Sequence, residues 1–135
     1  MTRRRVVVTG LGLISPVGNT VAEGWANLVA GRSGIANITR FDASAFACKI
    51  AGEVKGFEPG DFMDRKEARR NDRFIQFALA AAEMAMKDSG LDMSKEDPEQ
   101  VGCIVGAGMG GLGTIEENRT LLTERGLKRI GPFFI

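Results

Sequence analysis

Arg4-Arg5-Val6-Val7-Val8-Thr9-Gly10-Leu11-Gly12-Leu13-Ile14-Ser15-Pro16-Val17-Gly18 is the stretch on which the reading of the fold turns. Val6 to Val8 form an unbroken apolar run, not an alternating one. That is the pattern of a strand covered on both faces. Gly10 and Gly12 remove side chains where the strand ends, so another backbone or a ligand can come close. Pro16 and Gly18 break the chain ahead of a helix signal. The stretch therefore predicts a central strand of an α/β sheet, placed at the start of the chain.

Working outward, Thr20-Val21-Ala22-Glu23 fits a capping box, with Thr20 at the N-cap and Glu23 three residues on. Val21, Ala22, Trp25, Leu28 and Val29 recur at helical spacing, and Gly31 stops the helix. Trp25 reads as a core anchor. Residues 32–63 are irregular and punctuated by Phe41, Phe46, Phe57 and Phe62, with a short strand expected around Lys49 to Val54. Asp64 to Asp88 predicts one long helix or two pieces. The part from Phe74 to Met86 is apolar nearly all round, as in a buried helix, and Gly90 ends it. Val101-Gly102-Cys103-Ile104-Val105 reads as a second apolar strand, and Thr114-Ile115-Glu116-Glu117 as a second capping box.

The 135 residues suit one domain with one core. A hydrophobic fraction of 44% and a net charge of +1 are those of an ordinary soluble domain, with no global pull toward nucleic acid or an anionic membrane. No apolar run is of transmembrane length. Arg3-Arg4-Arg5 imitates an export signal, but the apolar part after it is short, β-branched and interrupted by glycine. Two cysteines make no disulfide framework, so a reduced, cytoplasmic setting is expected. Cys48 and Cys103 both read as small core residues. Histidine and tyrosine are absent. This excludes imidazole-based metal sites and any catalytic scheme needing a histidine base within this chain.

Two features carry candidate chemistry. Gly106-x-Gly108-x-x-Gly111 matches a dinucleotide fingerprint between an expected strand and an expected helix. The acidic residue that should follow a second strand is missing, and the excess of glycine better suits a packed loop or pocket wall. Arg65, Lys66, Arg69, Arg70 and Arg73 would cover a face about 140° wide if all lay on one helix. With Asp64, Glu67 and Asp72 interleaved, that face reads either as a solvated, ion-paired surface or as a dock for an acidic partner.

Taken in order, RRVVVTGLGLISPVGNT (4–20), SGI (33–35), FD (41–42), RKEARRNDRFIQ (65–76), DSGL (88–91), GAGMGGL (106–112), EEN (116–118) and IGPFFI (130–135) resemble the β-ketoacyl–acyl carrier protein synthases of type II. These are condensing enzymes with the thiolase fold, and the resemblance spans the whole chain. It implies an α/β architecture: the incomplete N-terminal half of a thiolase-like fold, whose complete form is a layered α/β protein with a mixed five-stranded sheet. Residues 1–135 would be the first portion of the synthase N-terminal domain. The apolar closing residues Phe133-Phe134-Ile135 also suggest that the sequence continues.

The family performs decarboxylative Claisen condensation of an acyl thioester with malonyl–acyl carrier protein, using a cysteine nucleophile and two histidines. By resemblance those residues lie beyond this chain, which alone is expected to be inactive and unstable, with open sheet edges. The binding positions carried over are Met109, Phe134 and Phe133 at the acyl pocket. Lys66, Arg69 and Arg70, together with Lys128 and Arg129, would dock the acyl carrier protein. No metal and no resident cofactor are implied, since phosphopantetheine arrives on the carrier protein. The complete enzyme is expected to be a cytoplasmic homodimer that binds neither nucleic acid nor membrane. Two alternatives remain: a non-catalytic partner subunit of the chain-length-factor type, and a dinucleotide-binding domain resting on the glycine motif.

Overall fold

A computed structural model gives the fold, with residues 3–131 and 134 described. Among these, four α-helices and one two-stranded sheet are formed: α1 (Val21–Val29), β1 (Ile35–Asn37), β2 (Ile50–Gly52), α2 (Arg65–Arg70), α3 (Arg73–Ser89) and α4 (Leu112–Arg125). Local chemistry sets several boundaries. The Thr20 hydroxyl accepts from the Glu23 amide at 3.1 Å, and the Glu23 carboxylate reaches back to the Asn19 amide at 2.8 Å. This is the expected capping box, shifted by one residue on its return arm. Gly90 closes α3 in the left-handed conformation (φ 66°), which a side chain would disfavour.

The opening stretch organises the molecule, though not as a strand. Neither Val6–Val8 nor Val101–Val105 belongs to a ladder among the described residues. Val6 is 93% exposed and Ile104 99%. The apolar pattern records a preference for burial, but a central strand also needs neighbours on both edges, and none is present in the described part. What the stretch does is touch every neighbouring layer. Cβ atoms at Gly10 and Gly12 would overlap the Ala85 and Ala81 carbonyls of α3, so the backbone lies directly on that helix. The Leu11 amide donates to Asp88 at 2.9 Å. Leu13 packs on Gly24 of α1, and Pro16 on Gly34 and Gly52 of the β-hairpin. A tight reversal from Ser15 to Gly18 (2.9 and 3.1 Å) and the Asn27 side-chain amide on the Val17 carbonyl (2.6 Å) fix the turn into α1.

β1 and β2 pair antiparallel, with Ala36 opposite Ala51. Glu53 closes the loop between them. Its carboxylate accepts from the Thr39 hydroxyl (2.6 Å) and from the Thr39 and Arg40 amides (3.0 and 3.3 Å). The hydroxyl bond leads in holding its pKa below the usual carboxylate range. The apolar core is small: Ala43, Phe57, Met63 and Ala80 are the buried hydrophobic residues described. Phe57 is its centre, edge-on to Phe77 at 5.0 Å and stacked with Phe62 at 5.8 Å.

Three expectations fail for one reason, which is that the surfaces meant to be covered are open. Trp25 is 67% exposed on α1, whose buried residue is instead Gly24. α3 buries only Gln76 and Ala80, leaving Phe74, Leu79 and Met86 exposed. Both cysteines are exposed free thiols, not core residues.

Candidate functional site

The basic segment is two helices, not one. Asp64 caps α2, its carboxylate accepting from the Lys66 and Glu67 amides at 2.8 Å each. After the six residues of α2 the chain turns extended at Asn71 (φ −102°, ψ 131°) and Asp72 before re-entering α3. Arg65, Lys66, Arg69 and Arg70 stay together on α2, all exposed, and line one shallow groove. Arg69 and Arg70 occupy its last turn, where positive charge suits the helix dipole. Arg73, expected on the same face, is not there. Its guanidinium lies 5.1 Å from the Phe57 ring centre and 5.2 Å from that of Phe77. That is a cation–π contact with the core, not part of a docking surface.

The α2–α3 junction is held from inside. Gln76 is 8% exposed, and its side-chain amide donates to the Ala68 carbonyl (2.7 Å) and the Asn71 carbonyl (2.9 Å). These are carbonyls that the end of α2 leaves without helical partners. Asp72 sits at the N-cap of α3 yet makes no capping bond with its side chain. Its carboxylate instead accepts from the Thr114 hydroxyl at 2.7 Å, across 42 residues of sequence. A Cβ at Gly111 would come within 2.8 Å of the same carboxylate, and one at Gly110 within 2.7 Å of the Phe74 ring. Gly111 is left-handed (φ 69°) and begins α4. Thr114 is therefore inside α4, not its N-cap as the Thr-x-x-Glu pattern suggested. Contact with Asp72 and Phe74 starts the helix three residues earlier.

Asp72, Phe74, Gly110 and Gly111 form the shared wall of two adjacent cavities. One, of about 530 Å³, is lined also by Arg70, Ile75, Ile115 and Phe134. The other, of about 440 Å³, carries Met109, Arg73 and Phe77. Of the residues singled out from sequence, Phe134 and Arg70 thus meet in one cavity, and Met109, 75% exposed, borders its neighbour. Lys66 and Arg69 lie beside Arg70 on α2. Lys128 and Arg129 are exposed in a short 3-10 turn after α4. That turn is at the opposite end of the helix from Ile115, about 15 Å away along its axis. Phe133 lies outside the described residues.

Asp72, Phe74 and Gln76 were not singled out from sequence. Gln76 had a readable signal, being the only polar residue between Phe74 and Ala82, and a lone polar group in an apolar helix implies a partner. The Gly106–Gly111 motif lacks the strand that should precede a dinucleotide loop, and side chains at Gly106 and Gly108 would meet open space. The described residues contain no cluster able to hold a metal ion and no helix long and apolar enough to cross a membrane.

Known proteins agree with this architecture. The family described as "Beta-ketoacyl synthase, N-terminal domain" matches residues 3–135. The 3-oxoacyl-[acyl-carrier-protein] synthase 2 of Vibrio cholerae is 47% identical over 135 residues, covering 100% of this chain and 33% of its own length. That of Staphylococcus aureus is 43% identical over 132 residues, covering 98% and 32%. Among solved structures, "The ishigamide ketosynthase/chain length factor" superposes with a TM-score of 0.76 at 37% identity, covering 98% of this chain and 33% of that one. A type II polyketide synthase acyl-carrier protein in complex with its ketosynthase gives 0.77 at 32% identity, covering 97% and 34%. The chain spans about a third of the curated relatives it matches. These matches leave the dinucleotide reading without support: the chain belongs to the beta-ketoacyl synthase family, within the N-terminal domain of that family's thiolase-like α/β fold.

Proposed function

We propose that this chain serves a 3-oxoacyl-[acyl-carrier-protein] synthase of fatty acid elongation as the first part of its N-terminal domain. In that role α2 receives the acyl carrier protein, and the paired cavities beside it take the acyl chain. The observation that carries this reading is a shared boundary. Arg70, at the end of the basic helix, and Phe134 line one cavity of about 530 Å³, a volume suited to a small ligand. An acidic carrier drawn to α2 therefore sits beside a space, walled in part by Phe74, Ile75, Ile115 and Phe134, that its cargo can enter. Lys66, Arg69 and Arg70 form the primary dock. Lys128 and Arg129, lying farther along α4, and Phe133 are secondary candidates. The carbon–carbon bond is made at a cysteine and two histidines that other parts of the enzyme supply. The enzyme is a cytoplasmic homodimer with no resident cofactor, the phosphopantetheine coming with the carrier.

The direct test replaces the corresponding third of the Vibrio cholerae relative with residues 1–135. The resulting chimera should condense acyl and malonyl groups held on acyl carrier protein and bind the carrier with micromolar or better affinity. A well-folded chimera that binds no carrier would overturn the reading. A second reading, a non-catalytic partner subunit, is kept because one structural relative is a ketosynthase/chain length factor. Incubating the complete protein with labelled acyl carrier protein separates the two. Transfer of the acyl group to a cysteine marks the synthase, and its absence marks the partner.

Two expected outcomes arise from the site. In the chimera, Met109→Trp should block long acyl donors far more than acetyl, because indole fills a space that a flexible thioether opens. Equal loss at all chain lengths would remove Met109 from the pocket. Gln76→Leu should leave the carbonyls at the end of α2 unpaired, at a cost of about 2 kcal/mol. Hydrogen exchange would then show α2 amides losing about 30-fold in protection while α1 is unchanged.

A further inference from the structure

The Asp72 carboxylate is turned away from the helix it begins and toward a residue on α4. An aspartate at this position ordinarily accepts from the second or third amide of its own helix. Here that capping bond is missing, and the 2.7 Å bond to the Thr114 hydroxyl stands in its place. Charge-assisted bonds of this kind are short and directional. On one side of Asp72, Gln76 holds the last carbonyls of α2. On the other, Gly110 and Gly111 press on Phe74 and on Asp72 itself, directly after Met109. The chain of contacts thus runs from the basic helix to the loop that carries Met109.

We propose that the Asp72–Thr114 bond is a positioning contact that sets the Met109 loop relative to the carrier-docking helix, so that an acyl group delivered on α2 meets a correctly placed pocket mouth. The proposal rests on the docking reading above, and it makes Asp72 and Thr114 positioning residues for carrier-delivered substrate. The acyl group of a small thioester enters the same cavities, whose walls include Asp72 and Thr114, but with no carrier on α2 it does not depend on how α2 and the Met109 loop are placed relative to each other. Productive geometry in such a relay tolerates little displacement.

The test uses the chimeric synthase with Thr114→Val, which keeps the side-chain shape and removes the donor. The ratio of kcat/KM for acyl–carrier protein to kcat/KM for the corresponding acyl N-acetylcysteamine thioester should fall about tenfold, the worth of one charge-assisted hydrogen bond. The carrier's Kd should stay within about twofold, because the α2 charges are untouched. Thr114→Ser, which restores the hydroxyl, should recover most of the ratio, and Asp72→Asn, which keeps an acceptor oxygen but loses the charge, should give a fall of only about threefold. An unchanged ratio in Thr114→Val, or equal loss in the serine variant, would overturn the proposal. Failure of the docking reading has a different signature, namely a carrier Kd indifferent to charge reversal on α2.

Discussion

Reversing Lys66 and Arg69 to glutamate in the chimeric synthase is expected to weaken acyl carrier protein binding by about 100-fold at low ionic strength. Both side chains are exposed on the six-residue helix α2, and the Asp64 carboxylate beneath them is engaged with backbone amides. The reversal therefore changes the face without removing a cap or opening the core. Each substitution replaces an attraction to an acidic partner by a repulsion, and like charges across an interface cost several kcal/mol when desolvated. The slope of log Kd against log salt should flatten at the same time, since fewer charge pairs remain to be screened. Titration calorimetry at low and at physiological ionic strength measures both quantities. An unchanged Kd at low salt would return α2 to an ordinary solvated helix.

The second large effect concerns the chain by itself. Its accessible surface is 11397 Å², whereas a compact monomer of 14.5 kDa exposes about 6,900 Å². The excess of about 4,500 Å² includes the Val6–Val8 run, Ile104, Val105 and the outer side of α3. Apolar area on that scale seeks cover. The 135-residue chain alone is expected to associate at micromolar concentration and to melt without a cooperative transition. Sedimentation velocity and scanning calorimetry would decide. A monomer with a sharp calorimetric peak would contradict the expectation.

What the sequence disclosed was set by how far each feature depends on distant partners. Thr20, Gly31 and Gly90 act within one helical turn, and each is found where its local chemistry put it. Gly10 and Gly12 were read as places of close backbone approach, and α3 is what approaches. The strand readings at Val6–Val8 and Val101–Val105 failed because a ladder is a relation between segments, and side-chain pattern reports a preference for burial, not burial or pairing itself. The sequence allowed two helical pieces over Asp64 to Asp88, as observed, but did not place the break at Asn71–Asp72. Arg65 to Arg73 keeps a helical charge spacing throughout, and only the Gln76 clamp and the turn of Asp72 toward Thr114 redirect Arg73 onto the phenyl rings. Met109 and Phe134 came from resemblance, and they fall on two cavities, not one, because Phe74 and the glycine pair stand between them.

The knuckle formed by Gly10 and Gly12 has a temporal side. Leu11 leaves the ribosome 77 residues ahead of Asp88, the residue that receives its amide. At translation rates of about 5–20 residues per second, the partner follows by about 4–15 s. Throughout that interval the Gly10–Gly12 segment has no α3 to lie on, and the valine run ahead of it stays an exposed, extended apolar peptide. A synonymous slow codon placed before residue 81 would lengthen the wait, and the first consequence would be felt in soluble yield, with the protein sequence unchanged.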